Sequence, residues 1–134
     1  MTVSIAKDSI DLGIVTTDAA ALVTFYQDVL GFKFHSKGER PGTTTYRLLC
    51  GTSMIKILQH DKEPATKAAG GGLQGGTGYR YWTITVNNLD EIISACEEGG
   101  YKVAVPALEI QAGVRIAMVE DPDGNWVEFL QMDQ

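Results

Sequence analysis

The sequence is short of the side chains that metal and redox chemistry use most. Two cysteines, Cys50 and Cys96, stand far apart without CxxC spacing, which excludes a cysteine zinc site or a dithiol redox motif. Both read as small core residues in a reducing compartment. There are two histidines, His35 and His60. Positive charge is also scarce: 11 Lys and Arg against 17 Asp and Glu leave a net charge of −6, which disfavours nucleic acid and anionic membrane as partners. No apolar run approaches the length of a transmembrane helix. The N-terminal stretch carries Lys7 and Asp8 and no apolar run, so no signal peptide is expected. A cytoplasmic protein is the default expectation.

What is present suits one domain. A chain of 134 residues with 44% hydrophobic and 21% charged residues can bury a sizeable core. Its most informative stretch is Asp121-Pro122-Asp123-Gly124-Asn125-Trp126-Val127-Glu128-Phe129-Leu130-Gln131. Asp, Pro and Gly there specify a tight turn, and the strand that follows alternates. Val127 and Phe129 need an apolar layer beneath them, which leaves Trp126, Glu128 and Leu130 on the other face.

The same order of elements occurs twice. Ser9 to Thr16 reads as a strand, Ala19 to Leu30 as a helix capped by Thr17-Asp18 and stopped by Gly31, and Phe32 to Ser36, Thr43 to Cys50 and Ser53 to Gln59 as three strands. After a glycine-rich stretch, Tyr79 to Val86 reads as a strand. Asn88 and Glu91 then form a capping box for a helix that buries Leu89, Ile92, Ile93 and Cys96, and Tyr101 to Val105, Val114 to Val119 and Asn125 to Gln131 complete the unit. A nearly constant offset between the halves marks a duplication.

The expected fold is α+β: two paired βαβββ modules forming a concave mixed sheet within a single domain spanning 1–134. Module 1 covers about 8–60 and module 2 about 79–131. The stretch 61–78 reads as a flexible linker; a ligand-covering lid is the sharper alternative, and no Gly-Lys-Ser/Thr supports a phosphate loop. Asp11, Lys56, Tyr81 and Glu128 should point into the shared face, with Thr83 beside Tyr81. Trp126 and Tyr81 offer a stacking surface for a flat ligand, and Arg115 is a candidate for an anionic ligand group.

Paired βαβββ units, the segment Phe25-Tyr26-Gln27-Asp28-Val29-Leu30-Gly31-Phe32 and the terminal Asp-Pro-Asp-Gly-Asn-x-x-Glu together resemble the vicinal oxygen chelate superfamily. That group includes glyoxalase I, extradiol dioxygenases and the bleomycin-resistance proteins, and the resemblance runs from Ile10 to Gln131. Its metal-using members place His, Gln or Glu ligands at four strand positions, which the resemblance carries onto Asp11, Lys56, Tyr81 and Glu128. Only Glu128 is a usual ligand there. Lys56 has no lone pair to give when protonated, so the expectation is a carboxylate, ammonium, carboxylate triad in which Lys56 replaces the metal.

His60, beside Asp61 at a strand end, reads as a solvated histidine. A one-residue shift in register would instead allow a divalent metal on Asp11, His60 and Glu128.

The departure at Lys56, with the resemblance to the bleomycin-resistance branch, which works by sequestration, leads to the expectation of a metal-independent protein holding a small organic ligand in the cup of the paired sheets, without a cofactor. The alternative is a lyase or isomerase in the glyoxalase or epimerase manner, with Glu128 or Asp11 as acid/base, assisted by Lys56 or one divalent metal. A homodimer is also implied.

Overall fold

The computed structural model describes residues 1–133, and the chain divides into two compact units after Ala65. The first holds β1 (Leu12–Val15), α1 (Ala19–Val23), a π-helical segment (Thr24–Val29), β2 (Lys33–Arg40), β3 (Thr43–Cys50) and β4 (Ser53–His60). The second holds β5 (Tyr81–Thr85), α2 (Leu89–Glu98), β6 (Val103–Gln111), β7 (Val114–Glu120) and β8 (Trp126–Met132). Each builds a four-stranded mixed sheet, in the order β1-β4-β3-β2 and β5-β8-β7-β6. The first strand of each unit pairs parallel with the last, and the other pairs are antiparallel. This is the expected α+β fold of two βαβββ modules.

Alternation decides which face carries the core. In the first unit Ile55, Ile57 and Leu48 are buried together with Leu22, Phe25 and Tyr26 of the helical segment. In the second, Val127, Phe129, Ala117 and Val119 are buried with Leu89 and Cys96 of α2. Each fully buried aliphatic or aromatic side chain contributes about 1.5–3 kcal/mol. Burial pushes the Cys96 thiol up to about 11, with the Glu97 charge adding to the shift, so it behaves as a core residue rather than a nucleophile.

The first helix departs from expectation. Asp18 caps α1 by accepting from Ala21 N, but from Thr24 the chain widens into a π-helix, with Leu30 N donating to Phe25 O at 3.0 Å. The wider turn brings two adjacent aromatics inward. Phe25 and Tyr26 are both fully buried, their rings meeting edge to face at 4.8 Å, and Tyr26 stacks on Phe32 at 5.7 Å.

Other boundaries also shift. β1 is shorter than Ser9 to Thr16, and β2 runs on to Arg40. β6 continues through Pro106 to Gln111, because it is an edge strand, where a missing N–H breaks no ladder, and its register shifts between Val105 and Leu108. The capping box does not form as expected. Asn88 is the N-cap without a side-chain cap bond, its Nδ2 donating instead to Glu91 Oε2, while Leu89 N is taken by Gln131.

The glycine-rich stretch is more than a spacer. It contains a 3-10 turn, Gly72–Gln74, and from Thr66 onward it belongs to the second unit. No helix among the described residues is long and apolar enough to cross a membrane.

Candidate functional site

The Asp121 to Asn125 turn positions β8. Asp121 is buried, its Oδ1 accepting from Asp123 N and Asn125 N at 2.9 Å each and its Oδ2 from Asn125 Nδ2 at 2.9 Å. Gly124 takes a φ of +87°, which an L side chain there would strain. The acidic motif is therefore a structural staple that sets where β8 begins, and so which residue of it becomes Glu128.

On the face of the second sheet away from α2, Glu128 pairs in register with Thr83 of β5 and Met118 of β7. Thr83 Oγ1 donates to Glu128 Oε1 at 2.7 Å, fixing one carboxylate oxygen. One rung away, Trp126 lies between Tyr81 and Glu120. Its Nε1 donates to Glu120 Oε1 at 3.3 Å. Tyr81 is 47% exposed.

Arg115, read from sequence as a ligand contact, belongs to the opposite face. It is in register with Gln131, which reaches back to the α2 N-terminus. Its guanidinium donates to both carboxylate oxygens of Asp90, at 3.0 and 3.4 Å, and this pairing raises its pKa. A side chain held against the first turn of α2 does not serve the face of Glu128.

The equivalent rung of the first sheet pairs Lys56 with Gly13 of β1 and Arg47 of β3. Lys56 is exposed, and among the described residues no ion pair involves it. The expected Asp11 to Lys56 pair is replaced by another. Asp11 precedes β1, where its Oδ1 accepts from Lys7 Nζ at 2.6 Å and from Met54 N at 2.8 Å. The Lys7 bond, then the Met54 amide, hold its carboxyl below the usual aspartate value, and the Lys56 charge adds only a smaller effect. Arg47 lies over the backbone of Gly38, where a Cβ would come within 2.9 Å of Nη1. His60 shares a hydrogen bond with Thr43 Oγ1 at 2.8 Å, and His35 shares one with Ser36 Oγ.

These donors suit a divalent metal poorly. Among the described residues no three His, Cys, Asp or Glu side chains are grouped as an ion requires. An amine at Lys56 and a carboxylate already engaged at Asp11 leave Glu128 as the one ordinary ligand type at the four positions. Two shallow depressions, of about 460 and 480 Å³, lie elsewhere. The first is lined by Lys37, Tyr46 and Glu63 among others, the second by Ile93 and Pro106 between α2 and β6.

Glu120 and Lys7 escaped the sequence reading. Glu120 had a usable signal, since a tight hairpin return places it opposite Trp126. Lys7 had none, because residues 1–11 carry no pattern that would fix its direction.

Similar solved structures extend over nearly the whole chain. A glyoxalase family protein from Bacillus cereus matches with a TM-score of 0.82 at 14% identity, covering 98% of this chain and 100% of that one. The trypanothione-dependent glyoxalase I of Leishmania major matches with a TM-score of 0.69 at 21% identity, covering 91% and 84%. TioX from Micromonospora sp. ML1 matches with a TM-score of 0.69 at 22% identity, covering 92% and 98%. At such identities the likeness is one of fold. No curated protein is matched by sequence. The profile that describes the Glyoxalase/Bleomycin resistance protein/Dioxygenase superfamily matches residues 9–129, and the chain belongs to that superfamily.

Proposed function

We propose that the protein binds a small organic molecule on the open, helix-free faces of its sheets without a divalent metal. The observation that carries this reading is Lys56. It stands in mid-strand at a position where metal-using relatives hold a ligand, it is exposed, and its nearest cross-strand neighbour is the cationic Arg47. Two cations side by side repel a dication and attract a carboxylate or carbonyl oxygen of an organic ligand. On the second sheet, taken by itself, Trp126 and Tyr81 supply aromatic surface, and Glu128 and Glu120 can accept hydrogen bonds from a ligand's donors.

Metal analysis of protein purified without chelators tests the metal-free part. No stoichiometric divalent ion is expected, and one tightly held ion per chain overturns it. Lys56→Ala should weaken capture of the small molecules that co-purify with the native protein, read by native mass spectrometry.

One observation favours a second reading, a lyase or isomerase. Thr83 orients one oxygen of Glu128, and among the described residues the other oxygen takes no hydrogen bond, as a general base needs. Turnover of a ketoaldehyde and thiol adduct that disappears in Glu128→Gln would support it. Capture retained in Glu128→Gln, with no turnover by the unmodified protein either, supports binding alone.

A further inference from the structure

The glycine-rich run lies on the candidate ligand surface. Between residues 71 and 79 the buried residue is Gly72, and its backbone lies against the indole of Trp126. A Cβ on Gly72 would come within 2.1–2.3 Å of Cδ2, Cε2 and Cε3 of that ring, so no other residue fits there. Arg80 holds the run down, its Nε donating to Gly72 O at 2.7 Å and its Nη2 to Gly70 O at 2.9 Å. Two weak turn bonds complete the fastening, Gln74 N to Gly71 O at 3.3 Å and Gly75 N to Gly72 O at 3.1 Å. Leu73, the large apolar side chain of the run, is 49% exposed and adds little burial.

We infer that residues 70–78 form a strap that covers the stacking face of Trp126 while no ligand is bound, latched by Arg80, and that a flat ligand displaces Gly72 from the indole. The inference rests on the reading of this open face as the ligand surface. Its physics is a comparison of two occupants. A glycine backbone gives the indole a small contact, whereas a flat ring matches its area and adds favourable stacking. Opening sacrifices one buried residue and two guanidinium bonds to neutral carbonyls, a loss that water largely replaces. Arg80 has no acidic partner among the described residues to hold it closed. Positive φ at Gly71, Gly72 and Gly78 gives the strap its hinges.

The test uses the full chain labelled with 5-fluorotryptophan, whose two resonances are assigned with Trp126→Phe. Gly72→Ala evicts the strap sterically, and Arg80→Gln releases the latch without touching the ring; circular dichroism confirms that each is folded, and Arg80→Gln carries the test alone if the other is not. The expected result is a Trp126 resonance that moves and gains a larger H₂O/D₂O shift, while that of Trp82 stays. The probe is proflavine, a flat cation suited to the carboxylates beside Trp126, and it should bind about three- to tenfold tighter to Arg80→Gln, because the competing occupant is gone.

A Trp126 signal unchanged in both variants overturns the strap. So does an uncovered ring that binds proflavine no better while its signal shows the probe stacking there. Proflavine that never perturbs Trp126 in any variant tells against the ligand-surface reading itself.

Discussion

The side-chain amide of Gln131 closes the N-terminus of α2: its Oε1 accepts from Leu89 N at 2.9 Å and its Nε2 donates to Asn87 O at 3.3 Å. Gln59 does the same for α1, accepting from Ala19 N at 2.9 Å and donating to Thr17 O at 3.2 Å. The last strand of each unit thus grips the start of its own helix through a side-chain amide, whose carbonyl accepts while its NH₂ donates. Sheet and helix are tied at the point where four backbone N–H groups would otherwise seek partners.

Gln131→Ala should remove both bonds and cost about 1–2 kcal/mol, seen as a fall in Tm of roughly 4–8 °C by circular dichroism. Gln131→Glu keeps the acceptor facing Leu89 N and favours the helix N-terminus, but sets an oxygen against Asn87 O, so its loss should be smaller. Equal Tm values for Gln131→Ala and the unmodified protein would show that the clamp is idle.

Asp121→Ala should cost about 2–4 kcal/mol, since three hydrogen bonds to a buried carboxylate are lost. Asp121→Asn should be milder: one oxygen still accepts the two backbone N–H groups, and the Asn125 amide can flip to face the new donor. Chemical denaturation measures both. If Asp121→Asn is as harmful as Asp121→Ala, negative charge rather than geometry holds the turn.

Arg115→Ala should leave ligand capture unchanged, because its partner is Asp90 on the helix side of the sheet. Asp90 is 75% exposed, so the pair is screened by water, and Tm should fall by no more than about 2 °C. Loss of ligand binding in this variant would return Arg115 to the site.

The Asp11 carboxyl is held below its ordinary value by Lys7 and the Met54 amide. A depressed carboxylate stabilises the fold above its unfolded pKa and loses that contribution as pH falls through the folded value, here below about pH 4. Asp11→Asn should therefore lower stability at pH 7 but flatten its decline as pH falls below about 4. Parallel pH profiles for the variant and the unmodified protein, read by urea unfolding, would exclude the effect.

How much of this was legible depended on whether a local pattern existed. β8 alternates so plainly, with Val127 and Phe129 against Trp126 and Glu128, that its faces followed from spacing alone. On β7, Val114, Ile116 and Met118 alternate with Arg115, Ala117 and Val119, so both faces look apolar. Only pairing with Gln131 reveals where Arg115 points. The π-helical segment was hidden because one extra residue per turn barely disturbs an apolar stripe. Pro106 marked an apparent end to β6, since the sequence does not say that the strand is an edge. The strap was the least legible, because glycine leaves no pattern and its contact with Trp126 joins residues far apart in sequence.

Among the described residues all strand pairings close within their own halves, and no ladder crosses the boundary after Ala65. A backbone cut there would sever no sheet, which makes the position a natural opening for circular permutation or for two-fragment complementation. The equivalent rungs also carry opposite charge: an amine, Lys56, stands opposite Gly13 in one unit, and a carboxylate, Glu128, is bonded to Thr83 in the other.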